Sequence, residues 1–461
     1  MLEKAPTNSL CFPRDCQTAN ILRVSEAPTI TWEAMNVFTT IAILIFLAAL
    51  FGYINSRFLK LAPTVGLMLL ALIVSLLLIA LHFAGLSVIA TAQKFLDNLD
   101  FNRVLLNGLL SYLLFAGALD LSLDRLARVR WQVFSLATIG VLGSTVIVGF
   151  AMFGLANAIG LGLPLGYCLL FGALISPTDP LAVLPIMRRA RAGKNLEVLI
   201  TGESLFNDGF AVVVFVVLLM TVTGTHTGSL ALHALVLFVR EAIGGFVFGL
   251  ALGWIGYRIL RTIDDFAVEI IITLALVSAG YAIALTLGIS GPLAMVVAGI
   301  VIGNQGRARG MSPLTVENLD RFWQMVDIIL NSVLFIIIGL EMLVFVNEFS
   351  WLRLVAGIAA IPIVLFARFV SVGAPMVALK PRGSHTRHAV PLVTWAGIRG
   401  AIPVALALSL PAGEAGNIVI TITYVVVVFS VLVQGDDSEV SRGAQEPWAA
   451  RRGRSTASGD T

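Results

Sequence analysis

The sequence predicts an all-α polytopic membrane protein with about thirteen transmembrane helices. Its 461 residues are 58% hydrophobic and only 12% charged, whereas roughly 25% of the residues in a soluble globular domain are charged. Several apolar runs, among them 35–53, 64–83 and 131–156, approach or exceed the ~20 residues that a helix needs to cross a bilayer. The composition excludes a soluble class, and the net charge of +3 gives no basic patch for nucleic acid.

The apolar runs divide the chain into three regions. Residues 1–33 form a polar segment outside the membrane, 34–434 a transmembrane domain, and 435–461 a short polar tail that is expected to be disordered. The individual spans are predicted at residues 35–58, 62–83, 104–121, 131–156, 164–187, 197–223, 231–259, 267–287, 291–303, 323–346, 351–378, 389–410 and 416–434.

The charges of the connecting loops support this division. Loops after odd-numbered spans are rich in Lys and Arg, whereas most loops after even-numbered spans hold neither. Cytoplasmic loops carry the excess of basic residues, so the pattern places the N-terminus outside and the C-terminus in the cytoplasm. The basic residues concerned are Arg57, Lys60, Arg125, Arg128, Arg130, Arg188, Arg189, Arg191, Lys194, Arg258, Arg261, Arg307, Arg309, Arg321, Lys380, Arg382 and Arg387.

A few ionisable residues fall inside the predicted spans. Such a group costs about 2.5–3.5 kcal/mol at the bilayer centre, so it faces the protein interior, pairs with a partner, or marks an ion path. Glu241 and Glu269 lie near span ends, where we expect them to be reached by water. The residues deeper in the spans are Asp179, Glu203, Asp208, Asp327, Glu341, Arg368 and Arg399.

Two of these charges lie where a helix is expected to break. Asp179 is bracketed by Pro177 and Pro180, and Arg399 lies in "GIRGAIP", between two glycines and ahead of a proline. Proline removes a backbone donor and clashes with the preceding turn. Such residues often only kink a membrane helix, but broken helices in corresponding halves of an inverted repeat indicate a transporter's ion site.

The stretch "GESLFND" in the sixth span combines carboxylates with neutral oxygens. Helical spacing places Ser204 and Asp208 on one face, with Glu203 and Asn207 on the neighbouring stripe. Carboxylate, amide and hydroxyl oxygens suit a small hard cation. Arg368 is the natural partner for Glu203, although purely structural buried pairs would show the same residue types.

Four segments resemble the signature motifs of a known family. "SPTDPLAV", "GESLFNDG", "DIILNSVLFIIIGLE" and "GIRGAIPVAL" are similar to segments of the monovalent cation/proton antiporters, of the bacterial NhaP type related to animal sodium/proton exchangers. The resemblance covers about residues 34–435. It implies thirteen helices in two inverted repeats with two broken helices crossing at the ion site, a homodimer, and alternating access in a bacterial inner membrane.

The resemblance also implies a cation site. Asp208 would be the carboxylate that takes either a cation or a proton, Ser204 and Thr178 would add oxygen ligands to the monovalent cation, and Asn207 is expected to belong to the same cation and proton site. Sodium is the expected cation, with lithium and potassium as alternatives, and no cofactor is expected.

The same resemblance assigns supporting roles. Glu203 would pair with Arg368 and so hold Asn207 and its neighbour in place. Asp179 would lie beside Arg399 where the two broken helices cross.

The sequence departs from the family pattern at three places. Ala116 and Ile328 stand where relatives often carry an acidic residue, and the chain after Gly435 differs completely from the end of the last helix in relatives. The first two changes bear on pH response or ion preference.

One carrier carboxylate predicts electroneutral 1:1 exchange of a cation for a proton, in the service of pH and sodium homeostasis. A cation channel could use a similar charged midplane, but would be expected to show a repeated selectivity-filter loop. An intramembrane protease needs two catalytic aspartates, a Ser-His set or a metal set, and no His is predicted in a span near Asp208. A transporter rather than an enzyme is therefore expected.

Overall fold

The computed structural model describes residues 37–84, 108–179, 194–224, 230–343, 350–379 and 389–435. The polar N-terminal segment, the residues just after Asp179 and the tail after Gly435 lie outside these ranges, and so do the expectations about them. The helices are α1 (Val37–Ile54), α2 (Pro63–Phe83), α3 (Leu110–Leu119), α4 (Leu123–Ser135), α5 (Val141–Ala158), α6 (Leu165–Leu174), α7 (Lys194–Thr223), α8 (Leu230–Leu260), α9 (Phe266–Leu287), α10 (Gly291–Val301), α11 (Pro313–Glu341), α12 (Trp351–Ala378), α13 (Ala389–Trp395), α14 (Ile402–Leu408) and α15 (Glu414–Phe429).

Every predicted span contains a helix, although in the part of the chain that the structure describes the span 164–187 is helical only at Leu165–Leu174. In the described ranges, nine helices are long and apolar enough to cross a membrane, and Leu110–Leu119, Leu165–Leu174 and Gly291–Gly306 are shorter apolar helices. The remaining predicted span, 389–410, is the pair α13 and α14. An all-helical membrane protein of about thirteen spans is therefore confirmed, while the relation between its two halves stays a prediction.

Two helices begin earlier than the hydropathy predicts. The basic stretch that was predicted to be a loop after the third span is helix α4, which continues through a π-helical turn (Leu136–Gly140) into α5. Likewise α11 begins at Pro313 rather than 323, with Ser312 capping the Thr315 N–H. Both extensions are polar helical turns, which a search for apolar runs does not detect.

The expected breaks meet in space. Helix α6 ends at Leu174, and the chain then runs extended to Asp179, while 396–401 separate α13 from α14. Asp179 and Ile398 form an isolated antiparallel bridge, in which the Asp179 N–H donates to the Ile398 carbonyl at 2.7 Å. Non-helical backbone at membrane depth is tolerated only when protein or a cavity surrounds it, and this crossing is buried.

The largest apolar cluster encloses the crossing. It includes the fully buried side chains of Phe171, Ile175, Phe335, Ile398 and Val427. Long apolar side chains elsewhere are exposed on the outer faces of the helices, as expected for surfaces that lie against lipid. The crossing is thus enclosed by packed apolar side chains.

Candidate cation site

Glu203 and Arg368 form a buried, two-pronged ion pair. Arg368 Nη1 donates to Glu203 Oε1 at 2.6 Å, and Nη2 donates to Oε2 at 2.8 Å. The two side chains are only 1% and 7% exposed. A bidentate guanidinium–carboxylate pair fixes the relative orientation of its two groups as well as bringing opposite charges together. The pair therefore holds α12 against α7 at Glu203.

Asn207 joins this ion pair to the first break. Its Nδ2 donates to Glu203 Oε1 at 2.9 Å and to Thr178 Oγ1 at 3.0 Å. Its Oδ1 accepts from the Thr178 N–H at 3.5 Å. Asn207 is fully buried, and both the nitrogen and the oxygen of its side-chain amide are hydrogen-bonded.

Ser204 makes a second link between α7 and the first break. Its hydroxyl donates to the Thr178 carbonyl oxygen. The hydroxyl oxygens of Ser204 and Thr178 keep lone pairs free to contact a cation. The two side chains expected to add neutral ligands therefore lie together at one place.

Asp208 lies one helical turn beyond Ser204 and is 8% exposed. Among the described residues its carboxylate has neither a hydrogen bond nor an ion pair. Asp179 and Glu203 lie near enough to repel its charge. This carboxylate is the one of the three that is left available for a ligand.

Arg399 ties the second break to the first. Its Nη1 donates to the carbonyl oxygens of Ser176 at 2.7 Å and Pro177 at 3.0 Å. The carboxylate of Asp179 lies against Gly400, where an added Cβ would meet Oδ2 at 2.6 Å. Asp179 and Arg399 thus both lie at the crossing, and a glycine is needed there for the close approach.

Of the other charges inside the spans, Asp327 lies near enough to Asp179 for their charges to repel. Asp327 accepts from Asn331 Nδ2 at 2.9 Å, and Glu341 is buried near the end of α11. Glu269, which was expected to be reached by water, is instead 0% exposed. The expectation was wrong because Thr315, far along the chain on α11, covers this end of α9 and donates to Glu269 Oε1.

The two departures from the family pattern lie on different surfaces. Ala116 is buried in the cluster around Trp323. Ile328 on α11 is 59% exposed, so an acid at this position would be accessible rather than buried.

Two further polar residues of the site were not predicted. The Ser430 Oγ accepts from the Arg399 backbone N–H at 2.8 Å, and Gln434 Nε2 donates to the Trp395 carbonyl at 3.3 Å. The signal was present in "VVVVFSVLVQG", where Ser and Gln stand four residues apart in an otherwise apolar run. Helical spacing of polar residues in such a run indicates a shared buried partner.

Comparisons with known proteins show which family this chain resembles. Residues 42–436 match the family model described as sodium/hydrogen exchanger, transmembrane. The chain is 44% identical over 400 residues to the Na(+)/H(+) antiporter NhaP of Pseudomonas aeruginosa, covering 86% of this chain and 94% of the relative. It is 34% identical to the Na(+)/H(+) antiporter NhaH of Halobacillus dabanensis, covering 82% of this chain and 91% of the relative.

A solved structure shares the fold. The sodium proton antiporter MjNhaP1 from Methanocaldococcus jannaschii superposes with a TM-score of 0.70 at 22% identity, covering 89% of this chain and 98% of the other. The resemblance read from four motifs is thereby confirmed, as is a transporter rather than an enzyme. This chain belongs to the sodium/hydrogen exchanger family.

Proposed function

We propose that this protein exchanges one monovalent cation, sodium before lithium or potassium, for one proton across the membrane. Asp208 binds either ion, and Ser204 and Thr178 complete the oxygen shell of the cation. The antiporter names of its relatives support the substrates. In the cell this exchange serves pH and sodium homeostasis.

The availability of Asp208 is the observation that carries the proposal. Of the carboxylates at the crossing, Glu203 has both oxygens on Arg368, and Asp179 packs against Gly400. Asp208 lacks a hydrogen-bonding partner among the described residues. A buried carboxylate without a partner is costly, and a proton or a cation would relieve that cost equally well.

The charges at the crossing support 1:1 stoichiometry. At the crossing, the partly buried carboxylate of Asp179 and the buried carboxylates of Glu203 and Asp208 face the buried guanidinium groups of Arg368 and Arg399. Counted over these five described groups, one negative charge is left over, so a single monovalent cation or a single proton makes the group neutral. Because an uncompensated charge in a membrane costs several kcal/mol, the loaded site crosses more easily than the empty one, and exchange is obligatory.

The assignment of Asp208 is tested by Asp208→Asn in sealed vesicles that report internal pH. Asn keeps the shape of the side chain and removes both the proton and the charge, so we expect sodium-driven proton movement to fall to background. Asp124→Asn makes the same change at an exposed position on α4 and should leave exchange unchanged. Exchange by Asp208→Asn at a substantial fraction of the wild-type rate would contradict the assignment.

Stoichiometry is tested separately by imposing a potassium diffusion potential with valinomycin, after potassium itself is shown not to be transported. A membrane potential acts on an uncompensated charge with about 2.3 kcal/mol per 100 mV. We expect the sodium gradient that balances a given pH gradient to be independent of voltage. A balance point that moves with voltage would show that a second carboxylate titrates.

Orientation and assembly are also proposals. The basic loops support an outside N-terminus and a cytoplasmic C-terminus, and the similarity to bacterial antiporters supports a bacterial inner membrane. The family resemblance supports a homodimer, and the least enclosed long helix, Leu235–Leu260, has only 11% of its apolar window buried. Cysteine cross-linking between outward positions of this helix, such as Phe246, would detect a second copy at that face.

A further inference from the structure

The π-helical end of the last span, Ser430–Gln434, lies directly against the second break. Ser430 and Gln434 are 1% and 2% exposed. The Ser430 hydroxyl donates to Gln434 Oε1 at 2.5 Å, while its oxygen accepts from the Arg399 N–H and Gln434 donates to the Trp395 carbonyl. The two side chains therefore form one chain of hydrogen bonds that runs along the break.

These bonds supply what a broken helix lacks. Backbone groups at helix ends have no intrahelical partner, and inside a membrane no bulk water replaces it. Trp395 is the last residue of α13, and Arg399 lies within the break. Ser430 and Gln434 thus satisfy one group at the edge of the break and one inside it.

The consequence reaches the cation site through the Arg399 side chain. That guanidinium donates to the carbonyls of Ser176 and Pro177, and Pro177 directly precedes the residue that offers a hydroxyl to the cation. A shift of the Arg399 backbone would therefore move the first break. Beside it lies a small cavity lined by Arg368, Arg399, Ser430 and Gln434 among others. On this side the hydrogen bonds of Ser430 and Gln434 add to the packing that holds the break.

We infer that Ser430 and Gln434 are positioning residues for cation binding, acting on the first break through Arg399. The inference rests on the proposed function, since it takes the site at Thr178, Ser204 and Asp208 as the one that binds sodium. Neither residue contacts the cation. Their loss should weaken binding, while the carrier carboxylate and its competition with protons remain.

The test compares Ser430→Ala with Thr423→Ala. Thr423 is fully buried on the same helix, but its hydroxyl donates only within that helix, to the Val419 carbonyl at 2.7 Å. Both variants lose one buried hydroxyl, but Ser430→Ala also leaves the Arg399 N–H without its acceptor, so we expect it to lose more thermal stability in detergent. For Ser430→Ala we expect the half-saturating sodium concentration to rise roughly fivefold, the factor that corresponds to one net hydrogen bond, with little change in maximal rate. Thr423→Ala should leave both unchanged.

Calorimetric titration of sodium into the purified proteins gives the same comparison without transport. Gln434→Met keeps the length of the side chain and removes its hydrogen bonds, so it repeats the test if Ser430→Ala does not assemble. Equal sodium affinities in Ser430→Ala, Thr423→Ala and wild type would overturn the inference. If wild type binds sodium without moving protons, the proposed function fails while the affinity comparison still decides the positioning role.

Discussion

Replacing Arg368 with alanine would leave Glu203 buried with a single described donor. Both oxygens of this carboxylate now accept from the guanidinium, and Asn207 Nδ2 would be the donor that remains. Glu203 is 1% exposed, and water that enters the space vacated by the arginine could replace hydrogen bonds but not the lost positive charge. The variant therefore isolates a charge rather than simply deleting a contact.

The size of the stability loss in Arg368→Ala follows from the burial of the ion pair. Removing one partner of a buried ion pair costs about 3–5 kcal/mol, because the other charge stays behind uncompensated. Arg321 offers a matched comparison: it pairs with Glu317 at 2.6 Å within α11, but the two side chains are 73% and 58% exposed. Exposed pairs of this kind contribute about 0.3–0.5 kcal/mol, so Arg321→Ala should be close to neutral.

Thermal melts of the purified proteins in detergent measure the difference. We expect a large loss of melting temperature for Arg368→Ala and almost none for Arg321→Ala. The double variant Glu203→Gln with Arg368→Met should recover part of the loss, because it removes both charges together. If Arg368→Ala and Arg321→Ala have the same melting temperature, then Glu203 is hydrated or paired elsewhere and the reasoning from burial fails.

Two further substitutions test the crossing and an isolated buried acid. Gly400→Ala should lower the free energy of unfolding by about 1–3 kcal/mol through overpacking and lower the exchange rate, because its Cβ would meet Asp179 Oδ2 at 2.6 Å. The control Gly154→Ala has open space around the new methyl group and should be harmless. Equal melting temperatures of the two variants would contradict the close approach. Glu269→Gln should raise the free energy of unfolding by about 1–2 kcal/mol, and with it the melting temperature, because Glu269 Oε2 is buried without a hydrogen-bond partner among the described residues. The control is Glu317→Gln at an exposed position. If Glu269→Gln gains no more stability than this control, the Glu269 carboxyl group is already neutral or solvated.

The sequence predicts the two breaks because their causes are local, whereas the crossing of the breaks was expected from the family resemblance. Proline on either side of Asp179 and glycine on either side of Arg399 disrupt a helix wherever they occur, and a charge within each break needs a buried partner. The pairing of Glu203 with Arg368 follows from chemistry, since few other cations are available at membrane depth. These features required no knowledge of the packing.

Features that depend on distant packing could not be predicted in this way. Glu269 is buried by a helix that begins more than forty residues later, and no local pattern reveals it. The roles of Ser430 and Gln434 depend on where the break in another helix falls. Helix α4 was missed for a different reason: its arginines indicate the cytoplasmic side correctly, but a basic stretch can be helical as well as a loop.

Within "GESLFND", the geometry of one helix separates the residues that anchor α7 from the residue that is proposed to carry the ion. Residues four apart share a stripe, so Glu203 and Asn207 lie on one stripe, while Ser204 and Asp208 lie on the next. The first stripe is committed to hydrogen bonds with Arg368 and the first break, and the second presents the free carboxylate. On the proposed mechanism, the charge of Asp208 changes in every cycle, yet none of the side-chain hydrogen bonds described for this helix involves Asp208. A carboxylate that both anchored α7 and carried the ion would loosen its own site each time it was protonated, and the adjacent stripes avoid that conflict.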